Sequence, residues 1–227
     1  MKISVLKIVN CKPRRYQKDK SGPRQYNSSG LNRGMTYVEL IVVLTIFSAM
    51  SSIVIFNYGE FQAKVDIKNV ANDIALKIVE AQKNSISGQL NSHNTISNWK
   101  PSYGVYFNTY TNGLGDPKNF SYFTDANNSK DYDDGICDPA NLSGECLEKI
   151  NITKGNSISN LSVFYMNGGS ATVNDLTIIF TRPNNIPLFR STTPTGPSIS
   201  YFQITVISPK TATAKIKVYS SGRIQIN

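Results

Sequence analysis

The sequence predicts an α+β protein, in which a long N-terminal helix packs against an antiparallel β-sheet domain. Three observations support this fold class. An uninterrupted apolar run covers residues 38–56, a helical repeat of apolar residues follows it, and β-rich segments separated by turn residues fill the second half of the chain. With 227 residues, the chain is long enough for one globular domain with a core and for further segments.

The positive charge of the chain is concentrated at its N-terminus. Residues 1–34 contain nine Lys and Arg against one acid, Asp19, and therefore carry eight of the nine net positive charges. A basic segment directly before an apolar span keeps that end of a membrane protein in the cytoplasm. We interpret residues 1–34 as a basic cytoplasmic leader; the alternative is a basic arm that binds nucleic acid.

The apolar run 38–56 contains one charge, Glu39, and neither Pro nor Gly. Its 19 residues cover about 28 Å as a helix, which is close to the hydrocarbon thickness of a bilayer. A cleavable secretory signal has a shorter apolar core, and a buried core helix is rarely apolar on all sides for this length. We therefore predict a transmembrane helix over residues 35–57.

Glu39 is the one charged residue of this span. An ionised carboxylate in a membrane costs about 2.5–3.5 kcal/mol at mid-bilayer and less near the ends of a span. Glu39 therefore either lies at the membrane interface at little cost or requires a positively charged partner.

Residues 34–40, with the sequence Gly-Met-Thr-Tyr-Val-Glu-Leu, resemble the processing signal of type IV prepilins and type II secretion pseudopilins. The resemblance implies that a membrane aspartyl peptidase cuts between Gly34 and Met35 and that the new N-terminus is methylated. It also implies that Glu39, fifth in the mature chain, pairs with the α-amino group of a neighbouring subunit, so that two buried opposite charges neutralise each other. Met35 and Tyr37 depart from the Phe and the aliphatic residue that the family usually has there.

Beyond the span, the pattern predicts an amphipathic helix over residues 58–88 that continues the first one. Gly88 suits the helix C-cap, and Gly59 is a candidate for a bend. We expect the apolar stripe of this helix to face the core of the following domain, with a groove for a partner as the alternative. The stripe consists of Phe61, Val65, Val70, Ile74, Ile78, Ala81 and Ile86.

Residues 89–227 are predicted to form a β-rich globular domain. The order of its segments resembles H-type minor pseudopilins and their minor-pilin relatives in residues 99–107, 176–180 and 215–226, which implies a pilin-like fold. The predicted strands cover residues 103–107, 162–165, 176–181, 201–207 and 215–219, and a short return strand covers 224–226 after a turn at 220–223.

An acidic segment, predicted as a loop, covers residues 116–148 of this domain. It contains eight Asp and Glu against two Lys. Asp125, Asn127, Ser129 and Asp133 occupy positions one, three, five and nine of an EF-hand-like loop, which predicts a calcium site. Lys130 stands where such a loop has Gly, and Ile136 stands where it has a bidentate Glu, so a solvated polar loop without metal is the alternative.

Two of the three cysteines, Cys137 and Cys146, lie in the acidic segment, on the side that the charge pattern predicts to be exported. A disulfide is permitted in that compartment and would contribute roughly 2–3 kcal/mol, with two reduced thiols or a metal site as the alternatives. The third, Cys11, belongs to the leader. The single histidine, His93, gives little support for zinc.

The sequence predicts a structural role. It contains no nucleotide-binding loop, zinc-protease motif or serine-hydrolase motif, so we expect neither enzymatic activity nor a required cofactor, with calcium the one possible ion. The resemblance implies a minor subunit of a type IV pilus or type II secretion pseudopilus. Such a subunit lies in the bacterial inner membrane as a single-pass precursor with its domain outward, is cut by the prepilin peptidase and joins other subunits in the filament.

Two other functions stay open. The first is a DNA-binding minor pilin, because residues 149–227 contain eight Lys and Arg against one acid, Asp175, and a basic surface attracts phosphate. The second is a signal-anchored surface protein that never assembles.

Overall fold

A computed structural model describes residues 34–90, 101–110, 116–133, 137–138, 144–184, 186–193, 196 and 198–227, except for the side chain of residue 57. Residues 1–33 of the leader, which include Cys11, lie outside this part of the chain, and so do His93, Trp99 and Ile136. The chain divides into two compact units, residues 1–48 and 49–227, which are considered separately.

Helix α1 begins at Tyr37 in the first unit and ends at Ser87 in the second, and it is helical through Gly59. It is long and apolar enough to cross a membrane, and none of its most apolar stretch is buried. The large apolar side chains between residues 37 and 56 are all exposed. This all-round apolar surface is consistent with the predicted membrane span.

The end of α1 at Gly88 is a Schellman motif. Gly88 has the left-handed φ of 61°, its N–H donates to the Ser85 carbonyl at 3.1 Å, and the N–H of Gln89 donates to the Asn84 carbonyl at 3.2 Å. These two bonds satisfy carbonyl groups that the helix itself leaves open. The structure confirms Gly88 as the helix C-cap.

Ten strands in the described part of the second unit form two five-stranded antiparallel sheets. Sheet 1 has the order β3-β2-β1-β6-β7, and sheet 2 has the order β10-β9-β8-β4-β5. The α+β class is therefore confirmed. The strands are β1 Ser102–Asn108, β2 Asn119–Asp125, β3 Cys146–Asn151, β4 Ser157–Tyr165, β5 Ser170–Val173, β6 Asp175–Phe180, β7 Pro187–Arg190, β8 Ile199–Ile207, β9 Thr213–Tyr219 and β10 Ile224–Ile226.

The sequence predicted six of these strands and missed β2, β3, β5 and β7. Strand β2 and the start of β3 lie within residues 116–148, so this acidic segment is not one continuous loop. The acidic residues around β2 concealed its alternation of Phe120, Tyr122 and Thr124 with residues of the other face. Every residue of β2 is buried, because both faces of sheet 1 are covered.

The first face of sheet 1 shares the main core with sheet 2 and with the second half of α1. The helix contributes positions spaced by three or four residues, namely Ile67, Ala71, Ile74, Ile78 and Ala81, and Ala63 is buried one turn before them. The prediction that this stripe faces the core is correct for Ile74, Ile78 and Ala81, and Val70 is partly buried against the same core. It is wrong for Phe61, Val65 and Ile86, which are exposed, because Ala63, Ile67 and Ala71 lie on the buried side of the first turns of this half instead.

The opposite face of sheet 1 carries a second, smaller core. Tyr106, Phe123 and Ile179 project from three neighbouring strands and pack with Tyr132 and Cys146 of the acidic segment. The ring centroids of Tyr106 and Tyr132 are 4.8 Å apart. The part of the acidic segment between β2 and β3 is therefore held on sheet 1 by the apolar contacts of Tyr132 as well as by the two strands that flank it.

Candidate functional site

The predicted cleavage site lies in an irregular, exposed segment directly before α1. Gly34, Met35 and Thr36 have no regular structure, and the helix begins at the next residue. A Cβ atom added to Gly34 would meet nothing within 4 Å, and its φ is not in the left-handed region. Within the described residues, the fold therefore does not require glycine at position 34.

Glu39 lies in the first turn of α1, where it belongs to a capping pattern that the sequence interpretation overlooked. The Glu39 N–H donates to Thr36 Oγ1 at 3.3 Å, and the Leu40 N–H donates to the Thr36 carbonyl at 3.1 Å. Thr36 is thus the N-cap, and Thr36-x-x-Glu39 is the sequence signature of a capping box. A carboxylate in the first turn is also favoured by the helix dipole.

Asp125 ends strand β2 and begins the predicted calcium loop. Its side chain is fully buried, and Oδ2 accepts a hydrogen bond from the Lys130 N–H at 3.1 Å, whereas Oδ1 has no hydrogen-bond partner within the part of the chain that the structure describes. Lys130 has a φ of 62°, the left-handed conformation for which such loops use glycine. The backbone therefore makes the sharp turn of a cation-binding loop despite the lysine.

Glu145 was not among the predicted ligands, and it closes this loop by bonding to both of its ends. It precedes β3 and is 6% exposed. Its Oε1 accepts the N–H of Ala126 at 3.2 Å, and its Oε2 accepts the N–H of Asp133 at 3.1 Å. One carboxylate thus joins the two ends of the loop that runs from Ala126 to Asp133.

The two buried carboxyl groups of this site resist ionisation. Burial raises the pKa of Glu145 to about 7, and the negative charges of Asp125 and Asp133 add to the rise, although the two backbone N–H donors oppose it. Burial also raises the pKa of Asp125, against the lowering effect of backbone N–H donors that include Lys130. A bound cation would relieve both effects by supplying the missing positive charge.

The predicted ligands Asn127, Ser129 and Asp133 lie on the exposed side of the same loop. Asn127 Nδ2 donates to Asp133 Oδ2 at 2.9 Å, and Asn127 Oδ1 accepts the Ser129 N–H at 2.8 Å. Within the described residues, no three Asp, Glu, His or Cys side chains form a group that could hold a metal by themselves. The calcium site therefore stays a prediction, and the structure adds Glu145 to its neighbourhood.

The disulfide predicted between Cys137 and Cys146 is present, with the two Cα atoms 5.2 Å apart. Cys146 is fully buried in the second core, and Cys137 packs against the same cluster. Because Cys146 follows Glu145 directly, the disulfide also restrains the position of the carboxylate that closes the loop.

A row of aromatic rings crosses sheet 2, and we call Phe164, Tyr201 and Tyr219 the aromatic ladder. Phe164 pairs with Tyr201 and Tyr201 pairs with Tyr219 in strand register, with ring centroids 4.6 Å and 5.3 Å apart. Lys217 Nζ lies 5.2 Å from the Tyr201 ring centre, and Arg223 Cζ lies 4.0 Å from that of Tyr219. Both contacts are cation–π interactions on a half-buried surface.

Searches against protein-family models, curated proteins and solved structures found no match for this chain. Function is therefore inferred from the residues of the chain itself. Three features are available for that inference: the segment before α1 with Glu39, the acidic loop closed by Glu145, and the aromatic ladder.

Proposed function

We propose that this protein is a minor structural subunit of a type IV pilus or type II secretion pseudopilus. It is made as a membrane precursor, cut after Gly34 and assembled through α1. One observation carries the proposal: an irregular, exposed Gly34–Met35 bond directly precedes a long helix with an all-round apolar surface and Glu39 in its first turn.

The apolar surface of α1 supports both a membrane-bound precursor and an assembled state. Its exposed side chains between residues 38 and 56 require an apolar environment, which is either lipid or the helices of neighbouring subunits. Helices associate in a membrane through close packing and paired polar groups. Ser48, Ser51 and Ser52 supply small side chains for such an approach, and Glu39 supplies a polar group to be paired.

Charge supports the orientation. The basic leader holds the N-terminus in the cytoplasm, so the unit with the two sheets faces outward from the inner membrane. The partners are the prepilin peptidase at residues 34 and 35, other filament subunits along α1, and the membrane. After the cut, Met35 carries the new amino group, four residues before Glu39. This amino group can pair with the Glu39 carboxylate of a neighbouring subunit.

The test is processing of the full chain in bacterial membranes with and without a prepilin peptidase. We expect mass spectrometry to find a mature protein that begins at methylated Met35, and Gly34→Leu to block the cut. Met35→Phe, which supplies the residue usual in the family, is the control and stays a substrate. An intact Gly34–Met35 bond in cells with active peptidase would refute the proposal and favour a signal-anchored surface protein.

DNA binding is the second candidate, and the aromatic ladder is the observation that favours it. Lys217 and Arg223 flank its rings, and residues 149–227 carry a net charge of +7. Basic residues beside aromatic rings suit the phosphates and bases of single-stranded nucleic acid. This activity would add to the structural role rather than replace it, because it uses the second unit alone.

Fluorescence anisotropy of the full chain in detergent with a labelled single strand tests this candidate. Binding is expected to weaken steeply as salt rises and to fall at least tenfold in the double variant Lys217→Ala/Arg223→Ala. Lys68→Ala/Lys83→Ala removes the same charge from the exposed side of α1 and is the matched control. Equal loss in both double variants would mean that net charge, and not the ladder, attracts the strand.

A further inference from the structure

The side chain of Asp125 is fully buried, yet none of the described residues donates a hydrogen bond to its Oδ1. A buried carboxylate oxygen without a partner is costly, and proteins normally satisfy such an atom with a donor, a water or a cation. Oδ2 accepts the Lys130 N–H, and the backbone N–H groups of Asn128 and Ser129 also act on this carboxylate, but Oδ1 itself accepts no hydrogen bond from the described residues.

We propose that the loop from Asp125 to Asp133, together with Glu145, binds one calcium ion, and that Glu145 supplies the closing carboxylate that position 136 lacks. The site is separate from the processing and assembly features of the N-terminus. It does not depend on the filament function proposed above.

Glu145 has the geometry for this role. Its two carboxylate oxygens accept N–H groups from Ala126 and Asp133, the two ends of the loop, and its own carbonyl accepts the Thr124 N–H at 2.9 Å beside Asp125. In an EF-hand the closing Glu comes from the same loop, whereas here it comes from the start of β3.

The kinds of ligand available indicate calcium. Asp125 and Glu145 are two buried carboxylates, and Asn127, Ser129 and Asp133 offer exposed oxygen atoms on the same loop. Because the described residues contain no ready group of three acidic, histidine or cysteine side chains, neutral oxygens or water must complete the shell. Calcium accepts six to eight such oxygens in flexible geometry, while magnesium demands a regular octahedron and zinc prefers nitrogen and sulfur.

The second core and the disulfide hold the two halves of the site together. Tyr132, next to Asp133, packs on Phe123 with ring centroids 5.1 Å apart. Cys146, next to Glu145, is buried in the same cluster and is bonded to Cys137. Asp133 and Glu145 are thus each next to a residue that packs on one face of sheet 1. This anchoring limits the loss of conformational freedom that calcium binding would require.

The experiment uses the full chain in detergent micelles after treatment with a chelator. Thermal melting is recorded with calcium chloride or magnesium chloride, and native mass spectrometry counts bound ions. We expect one calcium per chain and a rise in Tm of about 5–10 °C at roughly 100 times Kd, with a smaller rise for magnesium. No rise in Tm at 10 mM calcium would overturn the proposal; this concentration is on the order of ten times the weakest Kd of extracellular calcium modules.

Variants separate this site from unspecific binding. Asp125→Asn and Glu145→Gln keep the shape of the side chains, and each is expected to abolish the calcium-dependent rise in Tm. Glu148→Gln is the matched control, because it removes an exposed carboxylate of β3 that pairs with Lys77 and lies outside the loop, and it retains the rise in Tm. If Glu148→Gln loses the rise as well, or if both site variants retain it, calcium binds elsewhere and the proposal is wrong.

A variant that adds charge tests the same site should a neutralised form fail to fold. Asn127→Asp places a carboxylate beside Asp133, to which the Asn127 amide donates. Without calcium this variant is expected to melt at a lower temperature than the wild type, because two like charges then adjoin. With calcium its rise in Tm is expected to exceed that of the wild type, and an unchanged rise would contradict the assignment of the loop as the site.

Discussion

The side-chain oxygen of Thr36 accepts a hydrogen bond from the backbone N–H of Glu39, at a distance of 3.3 Å. This bond gives residues 36–39 a function within a single chain, namely to begin α1. The filament proposal gives Glu39 another function, to pair with the amino group of a neighbouring subunit. The first depends on the backbone of Glu39 and the second on its charge, so substitution can separate them.

Glu39→Gln removes the charge of the side chain and leaves the Thr36 cap in place. We expect normal peptidase processing but at least a tenfold loss of incorporation into filaments, measured by quantitative blotting of sheared filament fractions. Thr36→Ala is the matched control. It costs about 1 kcal/mol at the helix start and should retain incorporation. Normal incorporation of Glu39→Gln would mean that Glu39 serves the cap alone.

The long helix was the most predictable part of the fold, because residue type and spacing along one segment determine it. Its apolar first half, its continuation and the Gly88 cap were all readable from local sequence. Its buried face was not fully readable, since Ala71 packs in the main core and Ala63 is buried while Phe61 and Val65 are exposed. Which face packs depends on how closely the sheets approach, and small residues permit the closest approach.

Gly104→Ala is expected to destabilise the second unit. Strand β1 brings Gly104 under the Phe123 ring, where an added Cβ would lie 2.6 Å from two ring carbons and 2.7 Å from the Ile178 carbonyl oxygen. The ring and a paired strand backbone have little room to move, so we expect a loss of about 1–3 kcal/mol in the free energy of unfolding.

Urea denaturation of the full chain in detergent, followed by tyrosine and tryptophan fluorescence, measures this loss as a lower midpoint at constant slope. Gly169→Ala is the control, because its Cβ would meet only the Asn167 side chain at 3.3 Å and the Tyr165 ring at 3.5 Å. An unchanged midpoint for Gly104→Ala would show that Phe123 does not occupy this position.

Removal of the disulfide by Cys137→Ser/Cys146→Ser is expected to lower the free energy of unfolding by roughly 2–3 kcal/mol, because the unfolded chain gains the freedom of the opened loop. Burial of a serine hydroxyl at position 146, which is fully buried, adds to the loss. Chemical denaturation measures it. Chelated wild-type protein treated with a reductant is the control and should lose the chain-entropy part alone. Equal stability of oxidised and reduced wild type would contradict the prediction.

The acidic site was only half readable from the sequence. Asp125, Asn127, Ser129 and Asp133 share one segment, so their spacing revealed them. Glu145 comes from the far side of residues 134–143, and no local spacing relates it to Asp125; antiparallel pairing of β2 with β3 brings the two together. The same cause concealed the aromatic ladder, whose three rings come from three strands. Long-range strand register, rather than residue type, determines such groups.

The pH dependence of stability tests the environment of Glu145 in the absence of calcium. Its pKa is raised from 4.5 to about 7 in the folded protein, chiefly by burial, so folding favours the neutral form. The contribution of this group is therefore fully present below about pH 4.5 and is lost as the pH rises through about 7. Asp125 and Asp133 face Glu145, and the raised pKa of Asp125 gives a change of the same sign.

In chelator, the wild-type free energy of unfolding should thus fall between pH 4.5 and pH 7, whereas Glu145→Gln, which cannot ionise, should show a smaller fall over the same range. Urea denaturation at a series of pH values measures both curves. Glu148→Gln, which removes the exposed carboxylate of β3 that pairs with Lys77, is the control and should show a fall of the same size as the wild type. Parallel curves for wild type and Glu145→Gln would show that Glu145 is ionised throughout this range. Glu145 would then be solvated, and the loop would be open where the structure has it closed.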